Sequence, residues 1–398
     1  MDFTIDPAHE ALVRRVREFV DSRLLPLEPT LLEHGLQPLL GKVGELREEV
    51  QELGLWGPNY PQEYGGLGLD LVAHGLVSEA LGRSPLGHYV FGCNAPDAGN
   101  AELLHMYGSD LQKEQWLRPL VQGRIRSCFG MTEAANSGAN PLMLATRAEL
   151  DGDSWVINGD KWFTTGADGS SLCIVMAVTD PDAAVHKRAS MLLVPTDTAG
   201  YSLVRNTPIM GHAGVDLFSH GEIRFKDCRV PADSLLGARG EGFRLAQARL
   251  GPGRVHHCMR WLGICQRALE LMLRRAASRE ISPEGRRLGE SDIVRAWIAE
   301  SATEIKAARL MVLQTAWRIE HEGPRAARDD VSMIKFFVAG VLQRVLDRAL
   351  QVHGGLGVTD YTVLAWYYRE ERAARIYDGP DEVHKLSIAR RLLRDSGH

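Results

Sequence analysis

Asp378 lies in the stretch Arg375-Ile376-Tyr377-Asp378-Gly379-Pro380-Asp381-Glu382-Val383-His384, where a carboxylate is followed at once by Gly-Pro and then by two more acids. Pro380 cannot continue a preceding helix, and Asp381 and Glu382 suit the first turn of a new one, where the helix dipole favours negative charge. The spacing therefore predicts that Asp378 is presented from a turn. Gly379 lets the backbone approach a ligand closely, so an acid placed here could act as a general base. Taken alone, these residues could equally do no more than start a surface helix, which is the commoner fate of such acids.

Elements of two kinds must position this turn. Helical spacing of apolar residues covers 243–250, 254–277, 292–320, 329–352 and the segment after Asp381, which predicts a bundle of four or five helices. Leu250-Gly251-Pro252-Gly253 reads as a break between the first two. Upstream, from about residue 125 to 240, the period falls from 3.6 to 2. Strand-like runs at 147–150, 154–157 and 161–164 alternate with Asp151-Gly152-Asp153 and Asn158-Gly159, which read as hairpin turns. Further strands are expected at 172–178, 190–194, 221–225 and 230–231, giving a small β barrel or sandwich. Before residue 124 the pattern is helical again, beginning at Asp6-Pro7 with Asp as N-cap and Pro at the first helical position. The fold class expected is α+β, with an N-terminal helical domain (1–124), a middle β domain (125–240) and a C-terminal helical bundle (241–398).

The 398 residues carry 46 Lys plus Arg against 51 Asp plus Glu, a formal charge of -5, so no global attraction to nucleic acid or an anionic membrane is expected. Six cysteines are scattered with no CxxC pair, which reads as free thiols in a reducing compartment and gives no reason to expect a metal. The longest apolar runs fall far short of the roughly 20 residues of a membrane span, and a cytoplasmic protein is expected.

Several motifs in this order resemble the acyl-CoA dehydrogenase family of flavoproteins, over essentially the whole chain. Met131-Thr132-Glu133 resembles the family's V-T-E, and Lys161-Trp162-Phe163-Thr164-Thr165 its K-x-W-I-T. Gln351-Val352-His353-Gly354-Gly355-Leu356-Gly357 is similar to Q-x-x-G-G-x-G, and Tyr377-Asp378-Gly379 falls where the family has Y-E-G. Asn94 to Asn100, Arg249 to Arg260, Trp297 to Ser301 and Asp378 to His384 are similar to the branch containing mammalian family members ten and eleven, which carries Asp at the base position.

The resemblance implies α,β-dehydrogenation of an acyl-CoA thioester to a trans-2-enoyl-CoA, with FAD as cofactor, Asp378 as general base and Arg254 setting the charge beside it. It implies flavin contacts from Phe129, Met131, Thr132, Phe163 and Thr165, with Phe163 in place of the usual Trp and Trp162 on the opposite face. Arg279, Gln351 and Gly355 would reach the pyrophosphate and adenosine of an FAD shared with a neighbouring subunit, and Glu382 would lie near it. The segment 281–287 looks two residues longer than usual, so Arg286 or Arg287 could take the role of Arg279.

Ser137, Gly138 and Gly379 would face substrate, although Gly138 stands where relatives carry Ser. Gly251 stands where some relatives have a pantetheine-binding Asp, and Gly253 where others place their base. The tandem His256 and His257 receive no chemical role. Partners implied are an electron-transferring flavoprotein and a second copy of the chain, as homodimer or homotetramer. The acyl group implied is longer, branched or hydroxyl-derived rather than butyryl. An oxygen-using acyl-CoA oxidase or flavin monooxygenase and a silent acyl-CoA-binding scaffold are the alternatives.

Overall fold

The structure, a computed structural model, describes residues 4–397. Its chain forms two compact units: Met1–Glu48, Leu69–Val90 and Gly251–His398 make one, and Glu49–Gly68 with Phe91–Leu250 the other.

The first unit is helical. Pro7–Phe19 begins as its sequence dictates, the Asp6 carboxylate accepting from the Ala8 N–H at 2.7 Å. Long helices follow at Asp292–Glu322, Arg328–His353 and Asp381–Asp395, with a shorter one, Val363–Glu371, that the periodicity did not reveal. Close packing is built in by glycine. A Cβ on Gly263 would lie 2.0 Å from the Glu79 carbonyl oxygen, and one on Gly82 would lie 2.3 Å from that of Arg260. Helix Leu71–Leu81 can thus touch helix Gly242–Ser278 backbone to backbone. That second helix is continuous through Pro252, so the break expected at 250–253 does not form. One proline removes a single N–H from the ladder, and the apolar stripe on either side outweighs it.

The second unit holds eight strands: β1 Ser127–Gly130, β2 Arg147–Asp151, β3 Ser154–Thr165, β4 Leu172–Val178, β5 Ala189–Pro195, β6 Tyr201–Asn206, β7 His220–Pro231 and β8 Leu235–Leu236. They join in one sheet ordered β6-β7-β3-β2-β4-β5-β8, with β1 parallel to β4. Strand β4 is apolar throughout because both its faces are covered. Leu172, Ile174 and Met176 pack with helical residues such as Leu103, Leu104 and Leu120, while Cys173, Val175 and Ala177 face Trp155, Ile157 and Phe225.

Asn158-Gly159 is not a hairpin turn. It is an irregularity inside β3, where the register against β7 shifts between Ile157 and Gly159. The Asn158 side chain bonds across to Asp227, and a Cβ at 159 would lie 2.6 Å from Thr146 Oγ1, so glycine is needed for close approach rather than for reversal. Residues 221–225 and 230–231 are likewise one strand, β7, not two. All six cysteines are free and buried. Among the described residues no helix is long and apolar enough to cross a membrane, and no cluster of His, Cys, Asp or Glu could hold a metal.

Candidate active site

In the helical unit, the turn from Arg375 to Gly379 is pinned from every side. Asp378 has φ +53°, a left-handed conformation that Asp tolerates better than most residues and that persists only when neighbours enforce it. Its carbonyl oxygen accepts from Arg254 Nε at 3.2 Å and lies 3.1 Å from His384 Nε2. Burial pulls His384 down to about 4, so at neutral pH it is an uncharged ring that donates this bond. Gly379 follows at φ +94°, and any Cβ there would lie 2.9 Å from the same His384 nitrogen.

Lys335, with no exposed surface, reaches from helix Arg328–His353 to donate to the carbonyls of Ala374 at 2.7 Å and Gly379 at 2.8 Å. Burial lowers this lysine to about 8, against the attraction of Asp378 and Asp381. Asp381, buried, accepts from Arg375 Nε at 2.7 Å and closes the turn. The Tyr377 hydroxyl accepts from Arg260 Nη2 at 2.8 Å and from Trp261 Nε1 at 3.0 Å, beside the buried Glu371 that both donors also bind. The carboxylate of Asp378 has His257 Nε2 at 3.2 Å from its Oδ2.

In the β unit a second constellation forms. The Trp162 N–H donates to the Thr132 carbonyl at 2.8 Å, and buried Lys161 donates to the Met131 carbonyl at 3.1 Å and to Glu133 Oε1 at 2.8 Å. Glu133 also accepts from the N–H groups of Ala145 and Thr146. Burial opposes its charge, but the Lys161 ammonium outweighs that and holds it down to about 2; burial pulls Lys161 to about 8.

The loop after Thr132 folds back over it, since a Cβ on Gly138 would lie 3.2 Å from Thr132 Cγ2. Phe163 has φ +52° within a register shift between Lys161 and Thr164, and its ring is 42% exposed. This irregularity cancels the strand's alternation. Trp162 and Phe163 have ring centroids 4.4 Å apart, not opposite faces as a regular strand would give. Thr165 Oγ1 lies 2.9 Å from Nδ1 of His220, an imidazole that burial lowers to about 4. Phe129 on β1 lies beneath the Arg249 guanidinium at 4.4 Å. The Asn94–Asn100 motif fixes that strand: Asp97 accepts from the Ser127 N–H and hydroxyl, and Asn100 donates to the Ser127 hydroxyl and the Cys128 carbonyl.

Family models for acyl-CoA dehydrogenase match in series: the N-terminal domain over residues 6–124, the middle domain over 128–228 and the C-terminal domain over 240–393. The chain belongs to the acyl-CoA dehydrogenase family. It is 46% identical to the probable acyl-CoA dehydrogenase FadE2 of Mycobacterium tuberculosis, over 91% of this chain and 87% of that one. It is 40% identical to mouse acyl-CoA dehydrogenase family member 10 over 98% of its length, but spans only 37% of that protein. A solved chain from Mycobacterium abscessus shares 39% identity and a TM-score of 0.93, covering 99% of this chain and 100% of its own. The protein is an FAD-dependent acyl-CoA dehydrogenase, as the motif order implied.

In this acyl-CoA dehydrogenase, Asp378, Gly379 and Arg254 meet in the helical unit, while Phe129, Met131, Thr132, Ser137, Gly138, Phe163 and Thr165 belong to the β unit. Arg279, Gln351, Gly355 and Glu382 are exposed. The extra residues after Arg279 form a short hairpin, Glu280 bridging Arg287, whose side chain donates to the Ala277 carbonyl at 2.7 Å. Side-chain surroundings of Gly251 lie outside the described residues.

Sequence reasoning missed Lys335, His257 and His220. The first carried a signal: Val331, Ile334, Val338 and Leu342 form an apolar stripe in which a lysine is out of place. The two histidines carried none, because only folding brings them to their partners.

Proposed function

We propose that the chain removes two hydrogens across the α and β carbons of an acyl-CoA thioester, Asp378 taking the α proton. The observation that carries this reading is the pinned left-handed turn. Arg254, His384 and Lys335 fix the backbone around Asp378 through its carbonyls, leaving a carboxylate that is 19% exposed and aimed by backbone that cannot relax. A base must be held within reach of its proton, and small displacements are costly in rate. An acyl chain laid over Asp378 would remove its remaining water, disfavour the carboxylate and raise its proton affinity where the reaction needs it.

The residues of the β unit fit a flavin. An exposed aromatic ring held at positive φ offers a face for stacking, and the Met131–Glu133 segment, tied down by Lys161 and Trp162, offers fixed backbone groups. Phe129, Met131, Thr132, Phe163 and Thr165 would hold the isoalloxazine. When bound, FAD supplies the two-electron acceptor for the β hydride. Arg279, Gln351 and Gly355 would bind the pyrophosphate and adenosine of a neighbouring subunit's FAD, Arg279 by its planar fork of donors. Ser137, Gly138 and Gly379 would face substrate, with Glu382 near the FAD.

The same reading takes 1–124, 125–240 and 241–398 as the three domains, a homodimer or homotetramer as the assembly, an electron-transferring flavoprotein as acceptor and the cytoplasm as location. Its substrate class is a longer, branched or hydroxyl-derived acyl-CoA.

Anaerobic titration of the purified yellow protein with a panel of acyl-CoAs tests the proposal. Bleaching by one chain class is expected and would name the substrate. A flavin that no acyl-CoA bleaches would overturn the dehydrogenation, and rapid reoxidation by O₂ would point to an oxidase.

A further inference from the structure

The Thr165 hydroxyl has a partner with no role in the dehydrogenation proposed above. Thr165 closes β3 and His220 opens β7, and the two are direct partners across the antiparallel pair. Opposed residues share one face of a sheet, which brings Thr165 Oγ1 and His220 Nδ1 to 2.9 Å. The same imidazole lies beside Phe163, their ring centroids 6.3 Å apart, so it is flanked by two of the residues given to the isoalloxazine. Neither Thr165 nor His220 is fully covered and Phe163 is exposed, so this end of the pair stands open to a ligand. The backbone that carries the ring is fixed. The Thr207 N–H donates to the His220 carbonyl at 2.8 Å, while the Thr207 hydroxyl accepts from the Trp162 indole at 3.0 Å. On one side of His220 the Ser219 carbonyl accepts from the Gly166 N–H at 2.8 Å. On the other, Gly221 sits so close that a Cβ would lie 2.7 Å from that of Ala167.

Burial lowers His220 to about 4, so at neutral pH the ring is uncharged and one nitrogen donates while the other accepts. Two arrangements satisfy the contact with Thr165. If Nδ1 is bare, the hydroxyl donates to the ring and keeps only lone pairs for a ligand. If Nδ1 carries the proton, the hydroxyl accepts and its own proton is turned outward. The polar edge of an oxidised isoalloxazine is mostly acceptors, ring nitrogens and carbonyl oxygens, so a hydroxyl serves it best as a donor. We propose that His220 is a positioning residue for the flavin: its Nδ1–H donates to Thr165 Oγ1 and directs the hydroxyl proton to an acceptor on the ring. This rests on Thr165 contacting the flavin.

The test measures FAD release from diluted holoenzyme by the fluorescence of the freed flavin, together with the visible spectrum of the flavin still bound. His220→Leu removes the donor and should weaken FAD by about 3- to 10-fold, the scale of one neutral hydrogen bond, with a shifted flavin band. His220→Asn, whose amide nitrogen reaches the place of Nδ1, should return the band and bring affinity to within about 2-fold of wild type. Because His220 acts through Thr165, the two losses should not add. In a Thr165→Val background, His220→Leu should weaken FAD by less than about 2-fold more. If the Leu variant does not fold, His220→Ala takes its place.

Unchanged or tighter FAD in the Leu or Ala variant would overturn the proposal, since a hydroxyl that donates to the ring is released by the same change. An Asn variant no better than Leu, or losses that add in the double variant, would overturn it too. Thr165→Val is assayed alone beside them. Wild-type affinity and spectrum there would show that Thr165 is not a flavin contact, whereas a weakened Thr165→Val with unaffected His220 variants would remove only the role of His220.

Discussion

Replacing Lys335 with Met tests whether the turn is held by a buried charge. The ammonium donates to two carbonyls, and hydrogen bonds from a charged group contribute about 1.5–3 kcal/mol each, so their loss costs on the order of 3–6 kcal/mol. Against this stands the cost of burying the charge. A shift from 10.5 to about 8 at about 1.4 kcal/mol per unit is on the order of 3 kcal/mol. The two nearly offset, so Lys335→Met should fold, with a net loss at pH 7 of about 0–3 kcal/mol. The pH dependence is sharper.

A base whose folded pKa is depressed is disfavoured while protonated, so the unfolded chain binds more protons between pH 8 and 10.5, and native stability rises across that window. Between pH 7 and 10 the wild type should gain about 2–3 kcal/mol from this group and the variant none. Urea unfolding of both proteins at the two pH values, followed by tryptophan fluorescence, isolates Lys335 because all other groups titrate alike. Activity should fall by at least about 10-fold, since the Ala374 and Gly379 carbonyls on either side of the base are freed. A variant with unchanged turnover and the wild-type pH slope would refute both the burial of the charge and its grip on the turn.

Other substitutions probe separate parts of the argument. Asp378→Asn should keep its yellow colour and lose bleaching by acyl-CoA, whereas Asp378→Glu should retain partial activity, because the extra methylene carries the carboxylate past His257 and glutamate tolerates φ +53° less well. Wild-type turnover in the Asn variant would move the base elsewhere. Glu133→Gln should cost about 3–5 kcal/mol by leaving Lys161 buried without its partner, and should loosen FAD; thermal melts and flavin release read both. Glu133 is held down to about 2, so its contribution is present above pH 4.5 and fades as pH falls toward 2; the acid half of the stability profile should flatten in the same variant. Gly263→Ala should lower the melting temperature by several degrees, because its methyl meets the Glu79 carbonyl at 2.0 Å, whereas Gly253→Ala on the same helix, with nothing within 4 Å, should raise it slightly. Equal melting temperatures for the two would contradict the backbone contact.

What the sequence conveyed was local. Asp6-Pro7 marks a helix start because cap and proline act within one turn, and Leu172 to Val178 reads as a strand because it is short, apolar and bounded by turn residues. The carboxylate before Gly-Pro was legible as a turn for the same reason, and ordered motifs were enough to name the family. Asn158-Gly159 misled because the dipeptide signals permissive backbone, which a bulge uses as readily as a hairpin. Leu250 to Gly253 misled because an interior proline costs about 3 kcal/mol, which the packing of a 37-residue helix overrides.

Only the tertiary structure could decide which distant side chains meet that turn. Lys335, His257, Arg254 and His384 come from three helices, so their contacts depend on how those helices pack against one another. The sequence by itself determined the elements, the turn and the family; the fold decided how the base is held, because hydrogen bonds from separate helices depend on relative placement that no local pattern encodes.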